Sequence, residues 1–504
     1  MIADFLKRKI RLPDVVVLML FLLVTAFYAI ASVPFLTGSA NVDSQVYNLG
    51  GKILAEGGIL YKDYFDHKGP ALYLLNEFGY VIGGVEWGMW LIDLALVFVA
   101  MLILYRGVRV HLDLVPAFLV SVAALFFYDS YLANKPEFYY LIAMTVSLGL
   151  VLRSDDEKTA VISGLMASSV FFMKQTLIGY FVVLFLHYLL SVKSNRRRLI
   201  CYCGAGLLAS AAFLLYLLSK GIIWEYYNCC FKFNMLYCNE NSLVWNGFDL
   251  QILSESLIAF GWAVGSPGVL ATFLACLILV AKRKYRLLML GMVFWLWEAF
   301  FVFRTGRFYF YQFVGLNFAS SVAFLVLLGF IRTAKVDFRK RLYLIVFVMF
   351  GYSLCNMLFD GNLKRVRILM TGILDENSQN DEMLVAQIKS LPEGPLLIWG
   401  SKCSVYYRAS RQGFSRYYYR TPLDIYGGIS DAEADAIIRD LSRRDDVVIV
   451  DSASEPILRP IPHEGRNRHR KESRFRRLLA DVVNREFVDV ESTVPGVRIF
   501  VKRK

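Results

Sequence analysis

Glu86-Trp-Gly-Met-Trp-Leu-Ile-Asp93-Leu-Ala-Leu-Val-Phe-Val-Ala-Met-Leu-Ile-Leu-Tyr105 is a run of 20 residues holding two acids and no base. About 20 apolar residues cross the hydrocarbon core of a bilayer as one helix. The runs 14–36, 199–219 and 341–359 read the same way. Over 504 residues, 57% are apolar and 19% charged, and the mean hydropathy is +0.48. Soluble domains are less apolar and more charged than this. Collagen, disordered chain, disulfide scaffold and ordinary cytosolic enzyme are excluded, and the reading is a polytopic α-helical membrane protein.

Working outward, about eleven spans are expected: 14–36, 86–105, 114–128, 138–152, 160–174, 176–192, 199–219, 257–281, 287–303, 311–331 and 341–359. One set of alternate connections carries 21 cations, from Lys7–Arg11 through Arg196–Arg198 to Arg339–Arg341, and the opposite set carries nine. The side richer in Lys and Arg is cytoplasmic. The N-terminus is therefore expected inside and the chain beyond 360 outside, in a multi-pass protein of a bacterial cell membrane. The net charge of +13 then reflects topology and membrane-surface charge, and no nucleic-acid partner is expected.

Two domains follow, 1–359 in the membrane with a long first outer loop at 37–86, and 360–504 as an extracytoplasmic α/β domain. In the tail, helical patterns at 375–390, 431–444 and 472–484 alternate with apolar runs at 395–400, 447–451, 486–491 and 496–502. That alternation predicts a small, largely parallel sheet.

Four outer segments meet the same membrane face. They are 41–70 with Asp43, Tyr47, Tyr61, Asp63, Asp66, His67 and Lys68; 128–137 with Glu137; Lys174-Gln175; and 304–312 with Arg304, Arg307, Tyr309 and Tyr311. Carboxylates beside Lys and Arg at a bilayer edge can hold an anionic lipid headgroup and supply a base next to it. Gly50-Gly51-Lys52 lacks the rest of a P-loop, and no dinucleotide fingerprint or Asp-x-Asp is present. The eight cysteines and five histidines show no disulfide framework and no zinc spacing.

Asp43, Tyr47, Gly50, Gly58, Tyr61, Asp63 and Asp66-His67-Lys68-Gly69-Pro70, directly after the first span, resemble a pattern of the GT-C integral-membrane glycosyltransferases. The resemblance is to the branch of the lipid A aminoarabinose transferase and protein O-mannosyltransferases. Gly306-Arg307-Phe-Tyr309-Phe-Tyr311 and Ile398-Trp399-Gly400 are similar to that branch too. Lys-Gly-Pro stands where Lys-Pro-Pro is common, and Phe310 where a histidine often precedes the tyrosine.

The resemblance implies a sugar donor on polyprenyl phosphate, an acceptor outside the cytoplasm, and transfer with inversion. It implies Asp43 as general base and Glu137 as the second catalytic acid. Lys68 and Arg307, with Lys174 and Arg304 behind them, would meet the donor phosphate. Tyr47, Tyr61, Asp63, Asp66, His67, Tyr309 and Tyr311 would line the substrate site. No cofactor is required, although Asp43 and Glu137 have the oxygen chemistry to share Mg, Mn or Ca. Blander roles compete: Asp43 as a helix cap, Asp63 and Asp66 as turn residues, His67 as a packing residue. A transporter or flippase of a lipid-linked or anionic substrate is the alternative function. It would be expected to show repeated halves and mid-membrane charges.

Overall fold

The structure is a computed structural model that describes residues 12–33, 42–126, 133–192, 196–239, 268–305, 310–332, 371, 376–425, 427–453, 457 and 473–503. Among the described residues, four helices are long and apolar enough to cross a membrane: Trp87–Val108, Arg196–Ser219, Tyr285–Val302 and Val314–Arg332. The first has 22 residues, about 33 Å at 1.5 Å per residue, enough for the bilayer core. Shorter apolar stretches, Val15–Ala26, Gly179–Leu190 and Gly268–Ala281, stand beside them. Expected spans 114–128, 138–152 and 160–174 correspond to the helices Leu114–Phe126, Pro136–Arg153 and Glu157–Phe171. The expected span 341–359 lies outside the described residues, so the count of about eleven is not fixed by them.

The burial pattern is that of a membrane body. In Arg196–Ser219 only Tyr202 and Leu217 are buried, while Leu207 and Leu208 are 70% and 71% exposed. An apolar face of that extent is stable against lipid and not against water. Helices Trp87–Val108 and Pro136–Arg153 meet at Gly107 and Gly149. There a Cβ on Gly107 would lie 2.1 Å from the Gly149 carbonyl oxygen, the close backbone approach that small residues permit in membranes.

Two helices carry the long loop after the first apolar helix. Val42–Ala55 has Asp43 in its first turn and Lys52 in its last, matching the helix dipole at both ends. Pro70–Gly83 begins with proline at its first position, where no N–H is needed. Between them the chain turns through Tyr61, whose φ of 66° is unusual for a non-glycine residue.

The tail is an α/β unit around a four-stranded sheet in the order β1-β2-β4-β3. The strands are β1 Leu396–Trp399, β2 Val448–Asp451, β3 Phe487–Val490 and β4 Arg498–Lys502. Among the described strands β1 and β2 pair parallel, while β2–β4 and β3–β4 are antiparallel. This corrects the expected largely parallel sheet. The connection from Val490 to Arg498 is short, and a parallel pair needs a crossover of a dozen residues or more. The helix Asp431–Arg443, the crossover between β1 and β2, buries Ala434, Ile438 and Leu441 on one stripe and is capped by Ser430, which accepts from the Glu433 N–H.

Candidate active site

The first loop is stitched to the membrane helices before any side chain is considered. The Gly69 N–H donates to the Met173 carbonyl at 2.9 Å, and the Ala71 N–H to the Phe172 carbonyl at 3.0 Å. A Cβ at 69 would come within 2.0 Å of the Phe172 oxygen. Glycine therefore fits where a proline would both clash and lose the donor. The stitch puts Lys68 beside the segment that carries Lys174.

A second junction positions Glu137. Asn134 adopts a φ of 52°, a conformation asparagine tolerates. Its N–H donates to Asp93 at 2.9 Å and its side-chain amide to Asn48 and Asn76, each at 2.8 Å. Pro136 then starts the next helix with Glu137 in the first turn.

These junctions enclose a cavity of about 330 Å³. Asp43, Tyr47, Asp66, His67, Lys68, Glu137 and Lys174 all line it, so seven residues singled out in the sequence converge. Lys174 Nζ lies 2.5 Å from Glu137 Oε1, and Lys135 Nζ lies 3.4 Å from Asp43 Oδ2. Glu137 is 2% exposed, whereas the Asp43 side chain is 40% exposed and reachable. Lys68 Nζ stands 6.0 Å from the Tyr47 ring centroid, within cation–π range.

Beside Lys68 runs a buried relay. Asp66 Oδ2 accepts from Tyr73 and Oδ1 from Tyr419. His67 Nδ1 sits 3.1 Å from Asp66 Oδ1, close enough for charge attraction but off the line of a hydrogen bond. His67 Nε2 and Lys68 Nζ are 2.5 Å apart. With an ammonium as donor, Nε2 is the acceptor and Nδ1 carries the proton toward Asp66. Burial alone would raise the Asp66 pKa, but the electrostatic pull of His67 and Lys68 and the hydrogen bond from Tyr419 hold it well below the carboxylate range. Burial and the Lys68 charge lower His67, against the pull of Asp66. Burial also lowers Lys68, with Asp66 opposing.

Tyr61 and Asp63 stand behind the cavity. The Tyr61 hydroxyl donates to the Lys68 carbonyl at 2.8 Å, and Asp63 accepts from the Ile59 N–H at 2.7 Å as a turn residue. Arg307 and Tyr309 lie outside the described residues, as do the side chains of Arg304 and Tyr311. Val302 and Gln312, flanking that stretch, line the cavity. Glu298 reaches the wall from the Tyr285–Thr305 helix and accepts from Tyr140 at 2.7 Å.

Sequence reading passed over several contributors. Lys135, counted only as an outer cation, pairs with Asp43. Asn234 donates to the His67 carbonyl at 3.0 Å, and Cys230 to the Lys68 carbonyl at 3.1 Å. Ser401, Tyr419 and Thr421 enter from the tail. Only the adjacency of Lys135 to Glu137 offered a signal; the others are distant in sequence.

A divalent cation does not fit this arrangement. Asp43 and Glu137 are each taken up by a lysine ammonium, and among the described residues no three His, Cys, Asp or Glu side chains come together as ligands.

A helical membrane body, a first long loop folded back on it and a small mixed-sheet tail over a carboxylate–lysine cavity make up a fold similar to that of solved GT-C glycosyltransferases. ArnT from Cupriavidus metallidurans, bound to undecaprenyl phosphate, superposes with a TM-score of 0.53 at 13% identity, covering 94% of this chain and 97% of its own. The Archaeoglobus fulgidus oligosaccharyltransferase with zinc and sulfate gives a TM-score of 0.50 at 15% identity, covering 85% of this chain and 67% of its own. The archaeal oligosaccharyltransferase AglB from Archaeoglobus fulgidus, with an inhibitory peptide and a dolichol-phosphate, gives 0.50 at 13%, covering 85% and 69%. No family model and no curated protein matches the sequence.

Proposed function

We propose that the chain transfers a sugar from a polyprenyl-phosphate donor to a hydroxyl acceptor at the extracytoplasmic face, inverting the anomeric carbon. The observation that carries this reading is a cavity in which the accessible Asp43 faces a set of lysines around the buried Asp66–His67–Lys68 relay. The fold shared with proteins solved with undecaprenyl phosphate and dolichol-phosphate adds support.

In this reading Asp43 accepts the proton as the acceptor oxygen forms its bond to the anomeric carbon. The bond from that carbon to the phosphate oxygen breaks, and polyprenyl phosphate departs as an anion needing no general acid. Lys68 and Lys174 stabilise the charge that gathers on the leaving phosphate. Glu137 fixes Lys174, and Lys135 holds the Asp43 carboxylate in place until the acceptor arrives. Apolar wall residues such as Leu177, Met235 and Phe301 suit the first isoprene units. Residues 1–359 form the catalytic membrane domain and 360–504 its extracytoplasmic partner, with the N-terminus in the cytoplasm of a bacterial cell.

The experiment is turnover of a panel of polyprenyl-phosphate sugars by the purified wild type and Asp43→Asn, following release of polyprenyl phosphate. Turnover by the wild type alone supports the reading. Equal turnover by both removes Asp43 as the base.

A further inference from the structure

The tail contributes more than a lid to this cavity. Tyr419 is 5% exposed, lines the cavity beside Ser401 and Thr421, and donates its hydroxyl to Asp66 Oδ1 across 353 residues of sequence. The same oxygen faces His67 Nδ1, while Oδ2 is taken by Tyr73. Asp66 is 1% exposed, and a buried carboxylate must have its lone pairs met. With one phenol on each oxygen the carboxylate plane is fixed, and so is the oxygen presented to His67. His67 in turn meets Lys68.

The docking around Tyr419 is built to hold it there. The Phe65 N–H donates to the Arg416 carbonyl at 2.8 Å, and the Arg416 guanidinium donates to the Tyr61 carbonyl at 2.8 Å. Arg416 is anchored behind by Glu433 at 2.8 Å. Elsewhere on the interface the Ser404 N–H donates to Gln45 at 3.1 Å and the Tyr407 hydroxyl to Glu86 at 2.7 Å. These bonds join the tail to the loop; among the described tail residues, Tyr419 is the one hydrogen-bonded to the relay.

We infer that Tyr419 is a positioning residue: from the tail, through Asp66 and His67, it sets the placement of Lys68 for the donor phosphate. The inference rests on the proposed phosphate role of Lys68. Besides Asp66 and His67 from its own loop, Lys68 is faced by the charged or titratable groups of Asp43, Glu137, Lys174, Cys230 and Tyr47. Of these, Asp66 is the strongest charge opposing the loss of the lysine's proton.

The test uses the full chain in lipid nanodiscs and undecaprenyl phosphate itself as the probe, so no sugar needs to be known. Binding is measured against pH for the wild type, Tyr419→Phe, Lys68→Ala and Tyr407→Phe, each checked by a thermal melt. Tyr407→Phe removes a phenol–carboxylate bond of the same interface away from the cavity. Lys68→Ala is expected to weaken binding about a hundredfold. Tyr419→Phe is expected to weaken it about three- to tenfold and to move its alkaline limb to lower pH, since an Asp66 carboxylate no longer held by the phenol is free to turn its charge away from Lys68. Tyr407→Phe is expected to leave both unchanged. In an Asp66→Asn background, Tyr419→Phe should add nothing.

Wild-type binding by Tyr419→Phe alongside a large loss in Lys68→Ala overturns the inference and leaves the phosphate reading standing. Wild-type binding by Lys68→Ala removes the phosphate reading, and the inference with it. Equal weakening in Tyr407→Phe and Tyr419→Phe with no pH shift assigns Tyr419 to docking alone. Should Tyr419→Phe not fold, Asp66→Asn reads the same link, and an unmoved alkaline limb there overturns it.

Discussion

The Gly69 amide hydrogen-bonds the Met173 carbonyl at 2.9 Å, and this one contact brings Lys68 and Lys174, 106 positions apart, to the same cavity. Neither lysine needs a long-range partner of its own to arrive there. The loop is placed by backbone, and its side chains are left available for chemistry.

Gly69→Pro is expected to fail at that contact. It removes a buried donor, worth about 1–3 kcal/mol when its partner is left unpaired, and sets ring atoms against the Phe172 carbonyl. A lower melting temperature together with weaker undecaprenyl phosphate binding is expected, and a thermal melt with and without the lipid checks it. A variant as stable as wild type would mean that the loop can dock by another route.

Asp43→Asn keeps the size and the helix-end position of the residue and removes its basicity. Turnover should fall by about 10²–10⁴, the usual range for a general base, with the melting temperature little changed. Single-turnover release of polyprenyl phosphate is the measurement.

Lys174→Ala leaves Glu137 buried without its cation, a loss of about 3–5 kcal/mol for a fully buried pair and less here, where the lysine is partly exposed. Combining it with Glu137→Gln should restore the melting temperature and leave turnover low. Recovery of both would show the pair to be structural only.

The relay makes a pH prediction with a defined sign. His67 has its folded-state pKa pushed below 6.5 by burial and by Lys68. As pH falls through about 6.5 the unfolded chain takes up that proton before the folded chain does, so stability declines on acidification below neutrality. Asp66, whose folded pKa is depressed, contributes stability present above its unfolded value near 3.9 and lost only as pH falls below it. Melting temperature should therefore fall between pH 7 and 5 in the wild type and fall less in His67→Gln. Parallel curves would assign the decline to other groups.

Much of the architecture was legible because lipid imposes a simple rule on composition. The run 86–105 reads as a span, and Trp87–Val108 is a helix long and apolar enough to be one. The tail's helices were legible from their helical patterns between short apolar runs, as at 431–444. Its sheet was misjudged because strand direction depends on connection length, and Val490 to Arg498 is too short for a crossover. In the site, Asp43, Lys68, Glu137 and Lys174 were legible as charges gathered on one membrane face. Their partners were not: nothing near Tyr419 in sequence states that it meets Asp66, and Asn134 declares its role only through a backbone angle.

The two phenols on Asp66 come from opposite ends of the chain's history. Tyr73 is made early and Tyr419 is made 346 positions later, at roughly 5–20 residues per second. For roughly 20–70 s the nascent protein therefore has its first loop in the membrane with the carboxylate only half satisfied. The cavity is finished when the tail has folded and docked, so the order of synthesis keeps an incomplete chain from holding a finished site among the lipids around it.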